Sequence, residues 1–504
     1  MLLLLASCGL VGSLNSCSGT GKTDLGPSLE NVQAYYEKDS QRMPDTGKWA
    51  AYFDFSGVYI AYDDPATAQT FNGITQKVTG SLDRYDLYSL ANEKIEKLNG
   101  DDLHSAANIF AQLHSPEAQG QLYAPVEKTL EKIVNENRSA LLVTDFEEYT
   151  PGHQIYQQAY ATKYFEEWLK RGKEITFFVT DYQEGSLSKH LYYTVFDDEN
   201  HKLLKEVEDG LQGKPQNYKR FTLSMHNYTI TPKAGVTNGA YAGPCVGGTY
   251  HDQSGEDVVT ESVEDGKDDG FNFLPGSRAE LYTFGETDWA AIVANAKDQQ
   301  DGEIPAKYRF QHLFQNLFAD FSNTDSYQIK GLAVRMTDIG EDFNLYMDWL
   351  TAMKHKPTIE VVEGEKDVEI PSESSDFYDE NGNMLPQYDY AKCGGKNIFD
   401  IQGVLVFDQQ LFSNTFSATK GRNAELAVNL DPGFGGTIAG NKEPSGLYRI
   451  DIVVADAVPN LGSQIDELFS WTGNNCLSSA IRNVLQHCNP QGSCVYSYFV
   501  RMSD

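Results

Sequence analysis

Positive charge is scarce in this chain. Among 504 residues, Lys and Arg number 40 against 72 Asp and Glu, a net charge of −32. So negative a protein repels phosphate backbones unless a basic patch is set apart, and the sequence carries no such patch. Nucleic acid and anionic membrane surfaces are disfavoured as partners, which leaves proteins, neutral glycans and cations. Cysteine is also sparse, at seven, with no CxxC pair and no zinc-ligand spacing. Cys488 and Cys494 are close enough to close a small disulfide loop. Beyond the first residues, no run reaches the roughly 18 consecutive apolar residues of a spanning helix. Catalytic signatures are missing as well. None of the ten His lies in HExxH, no GxSxG occurs, and SCSGTGKT has Ser16 where a P-loop needs its first Gly. The SxxK strings Ser186–Lys189 and Ser417–Lys420 have no KTG partner. What is abundant is core material, since the hydrophobic set is 40% and aromatics are 12%. The length predicts about three domains, or two large ones.

The opening MLLLLASCGLVGSLNSC is a short apolar run ending in small residues, which reads as an export signal. Leu5-Ala6-Ser7-Cys8 resembles a bacterial lipobox, with Cys8 the lipid-bearing residue and Cys17 a second candidate. The expected order is a lipoprotein signal at 1–17, a polar tether at 18–47, an α/β domain at 48–232, an acidic Gly-rich linker at 233–270 and a β-rich α+β domain with helical insertions at 271–504.

Within 48–232, KWAAYFDFSG, SALLVTDFEEY and EITFFVTDY are continuous apolar runs that end in acid. Amphipathic stretches alternate with them, chiefly IYQQAYATKYFEEWLKRG. Such alternation predicts a mostly parallel sheet covered on both faces. In the C-terminal half, helices are expected around AAIVANA, FQHLFQNLFADF, FNLYMDWLTAM and CLSSAIRNVLQH. Strands are expected at YQIKGLAVRM, TIEVVE, FDIQGVLVFD, AELAVNL, YRIDIVVAD and VYSYFVRM, with hairpin-like turns at DENGN and DPGFGG.

Ligands of open α/β sheets bind beyond the carboxyl ends of the strands, so the residues there matter most. They are Asp54 and Ser56, then Asp145 with Glu147 and Glu148, then Asp181, with Asp101 opening an expected helix in between. Several oxygen ligands on adjacent loops suit a hard cation such as Mg²⁺ or Ca²⁺. The segments FDFSG, GDDLHSAANIF and LLVTDFEEY, in this order, resemble the three metal-site loops of a von Willebrand factor A domain. That family implies a doubly wound α/β sheet with a metal-ion-dependent adhesion site, read as DxSxS, then a Thr, then an Asp in a TDG-like loop. Asp54 and Ser56 match the first two positions. Val58 replaces the second Ser, Asp101 or Ser105 would replace the Thr, and Phe146 follows Asp145 in place of Gly. The resemblance implies a metal set of Asp54, Ser56, Asp101 and Asp145. The alternative is a metal-free scaffold that keeps the fold. The function expected is that of an exported, lipid-anchored outer-membrane protein, periplasmic or surface-exposed, that binds a protein or glycan ligand without catalysis. The competing expectation is a secreted hydrolase of glycan or peptide using carboxylates such as Glu147 and Glu148.

Overall fold

The computed structural model describes residues 28–38, 48–98, 123–232, 249–251, 257–259, 272–273, 279–285, 314–369, 376–430 and 446–503, apart from 57, 153, 199, 212–216, 227, 363–364 and 472. The chain is mixed α/β. Its first sheet holds seven strands: β1 (Trp49–Asp54), β2 (Tyr85–Ala91), β3 (Lys94–Lys97), β4 (Ala140–Thr144), β5 (Glu174–Glu184), β6 (Leu187–Asp197) and β7 (Lys219–Leu223). The spatial order is β3-β2-β1-β4-β6-β5-β7. β1 lies between β2 and β4, parallel to both, and every other pairing is antiparallel.

Alternate residues of these strands enter two different cores. Ala50 and Tyr52 of β1, with Leu142 of β4, pack under the helices Val126–Glu136, Thr162–Lys170, Gln464–Phe469 and Cys476–His487. Ala51, Phe53 and Val143 face the helices Tyr59–Asp63, Pro65–Thr79 and Lys202–Leu211. The result is a sheet covered on both faces, as the continuous apolar strands predict. One cover is remote in sequence: Phe469 stacks on Tyr192 of β6, and Leu468 accepts a hydrogen bond from the Tyr192 hydroxyl at 2.9 Å.

Two features depart from the mostly parallel reading. YDLYSLANEKIEKL forms β2 and β3, joined by Asn92 and Glu93 at φ +51° and +61°. Positive φ at both central residues is the signature of a type I′ hairpin turn, usually written with Gly. β5 is parallel in direction to β4 but does not touch it. It turns back through Gly185, at φ +61°, into β6, which inserts antiparallel between the two.

A six-stranded sheet has the order β11-β12-β21-β20-β14-β17, with β11 (Asn272–Phe273), β12 (Ala279–Gly285), β14 (Tyr327–Asp338), β17 (Phe399–Ile401), β20 (Gly446–Pro459) and β21 (Cys494–Ser503). A four-stranded sheet has the order β18-β19-β13-β8, with β8 (Thr229–Pro232), β13 (Phe314–Asp320), β18 (Leu405–Phe407) and β19 (Asn423–Leu430). The helix expected at FQHLFQNLFADF is thus corrected to a strand over its described part, β13. Phe314 and Leu317 are both buried, a helical spacing, because the register against β19 shifts between them. In the segment read as a linker, β9 (Thr249–His251) and β10 (Asp257–Val259) pair with each other. The four described cysteines, Cys488 and Cys494 among them, are free thiols. No helix among the described residues is long and apolar enough to cross a membrane.

Residues 28–35 and 341–396 form a separate compact unit. Its centre is the buried Asp342, which accepts hydrogen bonds from the hydroxyls of Tyr35 and Tyr390, both at 2.7 Å, and from Gly395 N at 2.6 Å. β15 (Thr358–Val362) and β16 (Glu365–Glu369) make a hairpin there. The turn expected at DENGN is present, with Asp379 accepting from Asn381 N and Asn383 N and Gly382 at φ +73°. Cys8, Cys17, Asp101, AAIVANA and DPGFGG lie outside the described residues.

Candidate functional site

Because β1 and β4 are adjacent and parallel, their carboxyl ends deliver two loops to one edge. Asp54 closes β1 and is fully buried. Its Oδ1 accepts from Ser56 N at 2.8 Å and from the Ser56 hydroxyl, and its Oδ2 accepts from Thr144 Oγ1 of β4 at 2.8 Å. Thr144 Oγ1 also accepts from Phe146 N at 3.2 Å, so one hydroxyl ties the two loops together. Asp145 is buried beside them. Its Oδ1 accepts from Glu147 N at 2.9 Å, and the Tyr182 hydroxyl lies 3.4 Å from its Oδ2. Phe146 has φ +59°, in the left-handed region that favours glycine. Its ring is buried against Phe165, Phe177 and Tyr192, and that packing holds the backbone there.

Among the described residues, a single cation answers these acids. Lys189, on the incoming end of β6, places Nζ 2.8 Å from Glu147 Oε1 and 2.5 Å from Glu184 Oε2. Glu147 also accepts from the Tyr149 hydroxyl at 2.6 Å. Burial pushes Asp54 up to about 6, against the pull of the Ser56 and Thr144 hydrogen bonds. Burial, then the charges of Glu147 and Asp54, drive Asp145 well above the ordinary carboxylate range. Burial works against the Lys189 ammonium, but Asp145, Glu147 and Glu184 outweigh it and hold its pKa above that of a free lysine.

No family model matches the chain, and no curated protein or solved structure matches it. The edge is therefore read from its own geometry. Three of the four residues of the expected metal set, Asp54, Ser56 and Asp145, come together, and Asp101 lies outside the described residues. Among the described residues, no group of three or more His, Cys, Asp or Glu side chains is placed to hold a metal ion. Each oxygen of Asp54 already faces a proton donor, and the positive charge near Asp145 is the lysine's. Among the described residues, Asp54, Ser56 and Asp145 by themselves do not make up a donor set for a resident Mg²⁺ or Ca²⁺.

Glu148 turns away to accept from Glu127 N at 2.6 Å at the start of the helix Val126–Glu136, a capping role. Asp181 belongs to the other face of β5, where it meets His190 Nδ1 at 2.8 Å and Lys219 at 3.5 Å. Sequence reasoning missed Thr144 and Lys189. The first stood inside LLVTDFEEY, and the second appeared only as the end of a rejected SxxK string.

Proposed function

We propose that the first sheet is a von Willebrand A-like, doubly wound binding module with a degenerate adhesion site, borne by an exported, lipid-anchored envelope protein that does no catalysis. The observation that carries this reading is the pairing of the Asp54–Ser56 loop with the Thr144–Asp145–Phe146 loop through the Thr144–Asp54 hydrogen bond. The positive φ at Phe146 supports it, because the family pattern has Gly at that position. The partial order β3-β2-β1-β4 also agrees with one half of a doubly wound sheet. The buried acids would set the shape and charge of the edge, and a protein or glycan ligand would meet its rim. That rim includes Tyr149, packed edge-on against Tyr123 at 4.8 Å between ring centres, and the half-buried Glu184. Aromatic side chains beside charge are what ligand surfaces favour. A hydrolase would need one of the acids open to a cleft, whereas Asp54, Asp145 and Glu147 are 0%, 5% and 6% exposed.

The test is capture on glycan arrays and from envelope extracts by the immobilised chain. A ligand bound by wild type and lost in Tyr149→Ala with Glu184→Gln is expected, and capture indifferent to both substitutions contradicts the reading. Replacing Cys8 and Cys17 together with Ala is expected to move the protein from the membrane fraction to the soluble one. A double variant that still pellets with membranes removes the lipid anchor from the account.

A further inference from the structure

We propose that Lys189 is a tethered cation occupying the electrostatic role of a divalent ion at this edge, so that the site works without metal. The proposal rests on reading the edge as the binding site. Its first support is position. Lys189 is 7% exposed, and a lysine is almost never buried unless it is paired. The ammonium meets two carboxylates, Glu147 at 2.8 Å and Glu184 at 2.5 Å, with Asp145 the strongest charge acting on it.

The second support is topology. β6 pairs Tyr192 with Thr144 of β4 and Lys189 with Tyr182 of β5. Because β6 runs antiparallel to both, its incoming end arrives where theirs leave. A parallel strand in that slot would bring its starting residues to the opposite edge, so the inserted strand is what delivers a fixed positive charge here. The third support is charge balance, since Asp145, Glu147 and Glu184 all act on this ammonium. Taking it away leaves these three acids, two of them buried, without that compensating charge. Several carboxylate oxygens gathered at one edge are what a hard divalent cation binds.

The experiment is thermal unfolding of the full chain with EDTA or with about 5 mM Mg²⁺ or Ca²⁺. Wild type and Lys189→Arg are expected to move by less than about 1 °C between these conditions. Lys189→Met, which keeps the stem and loses the charge, is expected to melt lower in EDTA and to regain about 2 °C or more with Ca²⁺. Adding Asp145→Asn to it should abolish the gain. Should Lys189→Met fail to fold, Lys189→Met with Glu184→Gln carries one uncompensated acid fewer and the same expectation. A wild type stabilised by either ion, or a charge-free variant no more responsive than wild type, overturns the proposal. Capture of any ligand found for wild type should survive EDTA. Capture that EDTA abolishes refutes the tethered cation alone, whereas absence of any captured ligand refutes the reading of the edge and leaves the melting result to decide Lys189.

Discussion

Two buried acidic clusters of this protein solve the same problem differently. In the six-stranded sheet, Asp451 sits mid-strand on β20 with Arg335 opposite it on β14 and Ser497 opposite it on β21. It accepts from Arg449 Nε at 2.7 Å, Arg335 Nη2 at 2.9 Å and Ser497 Oγ at 2.6 Å. Burial raises its pKa, but the two guanidinium groups and the hydroxyl outweigh burial and hold the carboxyl below its ordinary value. At the carboxyl edge of the first sheet, Asp145, Glu147 and Glu184 share one lysine among the described residues, and Asp54 and Asp145 are pushed up instead. The difference separates an anchor from a poised site. An acid with cations to spare fixes two strands together, while acids short of cations are left easy to protonate and responsive to whatever approaches.

The comparison can be broken most severely at Phe146. Phe146→Ala removes a fully buried ring and should cost about 4 kcal/mol in urea unfolding, loosening the poised edge while the Asp451 cluster stays intact. Asp451→Ala attacks the anchor and should cost about 3 kcal/mol, because both arginines then lose their partner; a loss below about 1 kcal/mol would show that they re-solvate freely.

The two clusters should also respond to pH with opposite sign. Asp54 binds its proton more tightly folded, near 6, than unfolded, near 3.9, so its stabilising share is complete below about pH 4 and is lost as pH rises through 6. Asp145 acts in the same sense. Asp451 is held low, so its share is present above about pH 4 and is lost as pH falls through its folded value. Across pH 4 to 7, Asp54→Asn should therefore remove a decline of roughly 2 to 3 kcal/mol relative to wild type, read from urea midpoints. Equal pH slopes for the two proteins would refute the poised edge. The smallest effect is a control on both clusters: the exposed pair of Lys170 with Glu166, at 3.1 Å along one helix, should cost no more than about 0.5 kcal/mol in Lys170→Ala.

The strands that build the edge were legible because β1 and β4 are continuous apolar runs closed by Asp54 and Asp145, a pattern local enough to read from one segment. Their neighbours were not. The β2–β3 hairpin hides behind Asn92-Glu93, where Gly would have announced the turn. β5 and β6 read as two apolar runs, and nothing local says that the second inserts between β4 and the first. Strand order is set by pairing across long stretches of chain, and so is the docking of Cys476–His487, a helix recognisable by its period, onto a sheet that begins at Trp49. The burial of Lys189 follows from that strand order, so a lysine beside a polar turn gave no sign of its role. At β13 a register shift imitated helical spacing, and long-range pairing overrode local periodicity.

The most direct test of the poised edge is the titration of Asp54 itself, followed by the carboxyl ¹³C signal in aspartate-labelled protein and assigned by its loss in Asp54→Asn. A carboxyl with its midpoint near 6 is the predicted result. A midpoint at or below about 4, the range of an ordinary aspartate, would contradict the account.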